Sequence, residues 1–160
     1  MEDTAAVYDT DVTLTANTFT KTGYTFDGWN TAPAGTGTSY TDGANVSNLT
    51  AVNGATVTLY AQWMPNQYTV SFDTQTDDVT DPAAQTVTFG QKYGTLPVLQ
   101  RTGYNFSGWT TTPTGNQYVT SGSIVKTAGN HMLYAQWGAK TYTVRYHAKL
   151  RLLMILTGMF

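Results

Sequence analysis

The side chains that could do acid–base or metal chemistry are few and scattered. His131 and His147 are the only histidines in the 160 residues, and neither has a partner at ligand or triad spacing, whereas a general acid–base pair or a zinc site needs convergent groups. Asp73, Asp77, Asp78 and Asp81 form one carboxylate-rich stretch, and hard oxygen ligands are what Ca²⁺ takes. The Asp-x-Asn/Asp-x-Asn/Asp-Gly series of a calcium loop is missing, so these four read as a solvated turn between two strands. Asp9 and Asp11 carry less still. No Gly-x-Ser-x-Gly elbow occurs, and the serines fall in turns. Lys21 is where a lysine–asparagine crosslink would start, but its counterpart in the second half is Arg101, whose guanidinium cannot form that bond. Three glycosylation sequons, at Asn45, Asn48 and Asn105, match by pattern only. The expectation is a non-enzyme with no catalytic residues, no metal ligands and no cofactor.

What the chain offers instead is a duplicated set of aromatic residues. Lys21-Thr22-Gly23-Tyr24-Thr25-Phe26-Asp27-Gly28-Trp29 returns as Arg101-Thr102-Gly103-Tyr104-Asn105-Phe106-Ser107-Gly108-Trp109. Leu59-Tyr60-Ala61-Gln62-Trp63 returns as Leu133-Tyr134-Ala135-Gln136-Trp137, and Tyr68-Thr69-Val70-Ser71-Phe72 as Tyr142-Thr143-Val144-Arg145-Tyr146. The last two landmarks each recur after 74 residues (137 − 63 and 142 − 68), the length of a small β module rather than of a solenoid turn. Gly23 to Gly103 is 80 residues, so the first copy holds six more inside it. A difference of that kind belongs in a loop.

Two units of this size have thin cores, and with no cysteine the chain has no disulfide staple. Bulky rings fill that need: Trp29, Trp63, Trp109 and Trp137, with Tyr24, Phe26, Tyr104 and Phe106, read as core, each ring burying roughly 150–250 Å². Gly28 and Gly108 precede a tryptophan at a strand end, where glycine permits a bulge or positive φ that re-aims the next side chain. Tyr60 and Tyr134 alternate with the Leu/Ala/Trp face of the last strand and are expected to point the other way, as ligand-facing positions if any exist.

Charged residues are only 11% and the net charge is −2, which lacks the basic face of a nucleic-acid binder. With 32 threonines beside many Tyr, Val and Gly, the composition is that of β-strands joined by tight turns. Tyr68, Val70 and Phe72 alternate with polar residues as a half-buried strand. A strand over Thr86 to Phe89, with Val87 and Phe89 on one face, a third through Tyr104 and Phe106, and a last through Leu133 to Trp137 complete the second unit. The first unit repeats this pattern from Val12-Thr13-Leu14 onward, but nothing before Tyr8 reads like Tyr68 to Phe72. Conversely Tyr142 to Tyr146 is an opening strand with no module after it. The expected division is 5–63, an N-terminally truncated module; 66–137, a complete one; 140–147, a spare opening strand; and 148–160, an apolar tail of foreign vocabulary. That tail is shorter than the roughly 20 residues a membrane span needs. No basic region followed by an apolar stretch opens the chain, so any export signal is expected outside it.

Gly-Tyr-x-Phe-x-Gly-Trp followed by Leu-Tyr-Ala-Gln-Trp, with a Tyr-Thr-Val-x-Phe opening strand, resembles the Listeria–Bacteroides repeat, the internalin B-repeat family, over residues 5 to 147. The resemblance implies small β-grasp-like modules in tandem on secreted or wall-attached bacterial proteins, acting as spacers or interaction repeats at the cell surface. The sequence departs from a β-grasp pattern in having no legible helix. The expected fold is therefore mainly β, a tandem array of two units with little helix. The expected function is a spacer or adhesion repeat that extends and makes protein contacts. A carbohydrate-binding module that uses exposed Tyr and Trp faces is the alternative. The expected partners are proteins or further copies of the chain, with glycan as the ligand of the alternative and no nucleic acid. Tyr142, Val144 and Tyr146 are expected to donate a strand to the first module of a neighbouring molecule, giving head-to-tail oligomers.

Overall fold

The computed structural model describes residues 1–147. The 148–160 stretch read as a tail lies outside the described residues. The described chain is all β, with no helix. The first module contributes β1 (Val12–Thr13), β2 (Tyr24–Asn30), β3 (Ser39–Tyr40), β4 (Asn45–Val46) and β5 (Tyr60–Pro65), and the second β6 (Gln67–Asp73), β7 (Gln85–Thr88), β8 (Tyr104–Thr110), β9 (Tyr118–Val119) and β10 (His131–Ala139).

In the second module the five strands form one sheet in the order β7-β6-β10-β8-β9. Its opening and closing strands lie side by side and parallel at the centre, Val70 opposite His131 and Phe72 opposite Leu133. The other neighbours pair antiparallel. Alternation along β6 sends Val70 and Phe72 inward, where they meet Val87, Tyr93, Trp109, Val125, Leu133 and Ala135 in a single buried cluster. Tyr93 reaches it from the crossover after β7, which is tied to residues 121–125 by backbone bonds such as Tyr93 N–H to Ser123 O at 3.0 Å.

The first module has only part of this. Its main sheet is β3-β2-β5, beside a separate β1-β4 pair, and β5 carries a partner, β2, on one side only. Where β10 begins at His131, the equivalent residues 57–59 form no strand. Where β7 buries Val87, the equivalent Val7 is 71% exposed. Only Trp29 and Val46 are buried apolar side chains in this module, and the Trp29 indole N–H finds no acceptor.

The segment expected as a strand over Thr86 to Phe89 differs in detail. The strand is Gln85–Thr88, and Phe89 lies beyond its end. Rather than sharing the Val87 face, Phe89 packs edge-on against Tyr24 of the first module, ring centres 5.6 Å apart. The glycine turn at Gly90, φ 75°, swings it out of the sheet's alternation.

The missing pairing and the orphaned Trp29 donor, whose burial costs about 1–3 kcal/mol, make the first module the weaker unit. In native-state hydrogen exchange of dilute monomer, the β2 and β5 amides are expected to exchange roughly tenfold or more faster than those of β6, β8 and β10. Equal protection in the two modules would contradict this.

Candidate functional site

The duplicated aromatic motif builds one corner twice. In the second module β8 and β10 pair until Gln136 faces Gly108 and Trp137 faces Phe106, leaving Ser107 as a bulge. Gly108 has φ 133°, and Gly28, at the same place in the first module, has φ 131°, a region that side chains with a Cβ rarely enter. The bulge turns Trp109 into the core, 2% exposed. Its indole N–H donates to Pro97 O at 2.7 Å. Phe106 then sits edge-on to both Trp109 and Trp137, at 5.4 Å each, and Phe72 lies 4.8 Å from Trp109. The Trp137 indole donates to Thr74 O at 2.8 Å, just past the end of β6. In the first module Phe26 contacts Trp29 at 5.0 Å and Trp63 at 5.5 Å in the same way. The rings of each corner thus pack edge-on against one another, with Trp63 and Trp137 half-buried at its outer side.

The start of the motif is also shared. Gly23 and Gly103 have φ 78° and 80°. Lys21 Nζ lies 4.0 Å over the Tyr24 ring, and the Arg101 guanidinium 4.0 Å over Tyr104. A cation over a ring accepts lysine and arginine alike, which accounts for the exchange between copies and gives Lys21 a role that is not a crosslink. Tyr60 is 39% exposed and Tyr134 half-buried, so the two equivalent tyrosines present unequal surfaces. Tyr142 and Tyr146 are 89% and 90% exposed, and Val144 between them is 58% exposed.

The titratable groups serve local structure. His131 Nδ1 lies 2.9 Å from Gly129 O and must donate to it, which leaves Nε2 to accept the Tyr93 hydroxyl at 2.8 Å. Burial pushes the Tyr93 phenol above its ordinary value. Asp81 accepts both the Thr74 N–H and hydroxyl at 2.8 Å, and these bonds, the backbone one first, hold its carboxyl below the usual range. Asp78 is lowered by the Thr76 hydroxyl and then by Arg101, whose Nε is 3.0 Å away. Asp73 caps the Gln75 N–H at 2.7 Å. Asp73, Asp78 and Asp81 thus divide among separate local contacts, and among the described residues no three His, Asp or Glu side chains approach a common metal position. Asp9 exchanges two hydrogen bonds with Asn48, at 2.7 and 2.9 Å.

Two polar residues that organise backbone carry no signal in the sequence. Asn30, fully buried, accepts the Ala32 and Gly37 amides and donates to Gly37 O and Ser39 Oγ, shaping the β2–β3 loop. Gln75 Nε2 donates to Ala135 O at 2.6 Å across the second sheet. Side-chain amides and hydroxyls of this kind are recognisable only once their backbone partners are placed. Two shallow depressions flank the motif, one along Gly28, Trp29 and Tyr40, the other along Leu96, Pro97, Trp109 and Val119. Neither brings an acid and a base together.

A family model described as the Listeria-Bacteroides repeat domain matches residues 1–62 and 68–136. The chain belongs to the Listeria-Bacteroides repeat family. It is 33% identical over 133 residues, 80% of its length, to a protein of Evansella cellulosilytica named "Putative Gly-rich membrane protein". It is also 33% identical over 144 residues, 82% of its length, to Internalin H of Listeria monocytogenes. The matched regions span only 15% and 24% of those proteins, as repeats within longer chains do. No helix among the described residues is long and apolar enough to cross a membrane.

Two outcomes test this corner. A Cβ on Gly28 would lie 2.7 Å from Tyr40 O, and one on Gly108 2.9 Å from the Tyr118 ring. Gly108→Val adds β-branching to a backbone strain of about 1–3 kcal/mol, so denaturant unfolding should lose the second module's transition while the first stays measurable. An unchanged melt would show that the glycine is not a backbone device. The depressed Asp81 carboxyl stabilises the fold above its ordinary value of 3.8. That contribution disappears as pH falls through the lower folded value. Acid unfolding of the second module below about pH 4 should therefore be less steep in Asp81→Asn, and an identical acid limb would remove the role given to Thr74.

Proposed function

We propose that this chain is a non-enzymatic spacer and adhesion repeat of a bacterial surface or secreted protein, built from helix-free, β-grasp-like modules whose ends couple rigidly. The observation that carries the reading is the junction. Asn66, the one residue between β5 and β6, donates its N–H to Gly23 O and accepts the Phe89 N–H, both at 2.9 Å. Its side chain takes the Thr25 hydroxyl at 2.6 Å, and Phe89 closes over Gly23 and Tyr24. At the end of the second module Lys140 N–H bonds Gly103 O at 2.8 Å, the same contact in the same place. A backbone contact that recurs with the motif would extend an array with fixed geometry, which is what a spacer needs. Among the described residues nothing lies within 4 Å of where a Cβ on Gly103 would stand, which leaves room at that corner for a neighbouring unit. The family membership and the relative named "Putative Gly-rich membrane protein" support placement at the cell surface.

The chain has no cysteine, so nitroxide labels at Thr36→Cys and Thr127→Cys report the joint directly. Pulsed electron paramagnetic resonance is expected to give one narrow distance distribution that broadens in Phe89→Ala. A broad distribution in the unsubstituted joint would defeat the spacer reading. Titration with polysaccharides should give no saturable response, and a response abolished by Tyr60→Ala would favour the carbohydrate-binding alternative.

A further inference from the structure

The second module's sheet ends on one side at β9, only two residues long, and on the other at β7. The pairing register fixes which groups β7 turns outward. Phe89 N–H bonds Asn66 O, so by antiparallel alternation the hydrogen-bonded pairs are Val87 with Tyr68 and Gln85 with Val70. The N–H and C=O of Ala84 and Thr86, and the N–H of Thr88, then point away from β6. Among the described residues no strand lies on that side. The Thr88 carbonyl accepts the Gln91 N–H at 3.1 Å. Ala83, Ala84 and Thr86 are exposed, and their small side chains leave the edge accessible to another backbone.

Open sheet edges are normally guarded by a charge, a proline or a bulge that discourages pairing. β7 has none of these. No charged side chain occurs from Pro82 to Gln91, Pro82 precedes the strand, and the register with β6 runs unbroken from Gln85 to Thr88. The inner face is already closed, with Val87 buried and the Gln85 side-chain amide donating to Tyr93 O at 3.2 Å. The edge therefore suits a strand that satisfies backbone groups, carries no charge and offers small β-branched side chains on the outer face. β7 itself, Gln-Thr-Val-Thr, has that composition. It is its own complement.

We propose that β7 pairs with β7 of a second copy of this chain, antiparallel about a two-fold axis at Thr86. Thr86 then exchanges both backbone hydrogen bonds with Thr86 of the second copy. Thr88 N–H bonds the Ala84 carbonyl across the axis, and Val87 lies opposite Gln85. The outer face gains a Thr–Thr cross-strand pair, a favourable neighbour in sheets, and no like charges are opposed. The contact is isologous, so it closes as a dimer and joins two five-stranded sheets into one. Molecules of a surface repeat are thereby held side by side. This goes beyond the spacer reading: a rigid joint without lateral pairing leaves that reading standing, and lateral pairing across a flexible joint leaves this one.

Sedimentation velocity of the full chain across the micromolar-to-millimolar range should report a monomer–dimer equilibrium. Thr86→Lys and Thr86→Glu, at an exposed position, each oppose like charges at the axis and should dimerise about fivefold more weakly, whereas their equimolar mixture recovers the dimer. Thr86→Pro removes only an outward N–H, and should give monomer with the circular dichroism of the modules retained. A single nitroxide at Ala84→Cys locates the contact. Ala84 of one copy faces Thr88 of the other, so two such labels lie about 14 Å apart along the strands, and the spectrum should broaden with concentration and sharpen on dilution with unlabelled chain. A label at Asn105→Cys, exposed on β8, should show no broadening. A monomer throughout, which is also the result if this edge takes an extended segment of another protein, overturns the proposal. Equal broadening at the two labels, Thr86→Lys dimerising as the parent does, a mixture no stronger than its components, or dimers that survive Thr86→Pro would each overturn it too.

Discussion

The parallel contact between the opening and closing strands holds the second module together. Parallel neighbours cannot be joined by a tight turn, so the chain between β6 and β10 makes a long excursion that lays its strands on the flanks of the same sheet. β7, β8 and β9 are arranged by that excursion, and the buried cluster forms where the two central strands bring Val70, Phe72, Leu133 and Ala135 onto one face. The first module has the same β2–β5 hairpin and the same aromatic corner without this contact. Its equivalent of the β10 start frays, its β7 equivalent is irregular, and its core shrinks to Trp29 and Val46. The two modules of the described chain thus differ in this one contact, and the comparison shows what it does for the core.

Aromatic rings do the work that aliphatic side chains do in larger domains. At about 25 cal/mol per Å², a ring burying roughly 150–250 Å² contributes about 4–6 kcal/mol before entropy is counted. A Phe wedged between two Trp residues concentrates that in few positions. Such packing demands that Trp29 and Trp109 leave the strand's alternation, and the glycine bulge is the device that permits it. The indole N–H must then find a carbonyl. Trp109 and Trp137 find Pro97 and Thr74, whereas Trp29 has none.

The junction uses the leftover valences of the motif. Gly23 offers its carbonyl to Asn66 and its bare Cα to Phe89, and Gly103 offers its carbonyl to Lys140. A position that reads within one module as a turn glycine is, between modules, a docking point. This dual use explains how a module with so thin a core can be passed along an array, since part of each unit's stabilisation comes from its neighbour.

The duplication, the mainly β character and the glycines before Trp29 and Trp109 were legible in the residues, because alternation and glycine placement are local properties. Other features depended on chain segments far apart in sequence. The parallel placement of β6 against β10, His131 closing on Tyr93 and Gly129, Asn30 gathering its loop, and the Lys21 and Arg101 cations over tyrosines each require a partner that periodicity does not name. Phe89 shows the limit most directly. Its spacing from Val87 assigned it to the core face, and one glycine turn later it belongs to the joint with the preceding module. Periodicity determines which side of a strand a residue faces, but only the tertiary structure decides where the strand ends and what lies beyond it, because the ladder that sets that end is made by another segment.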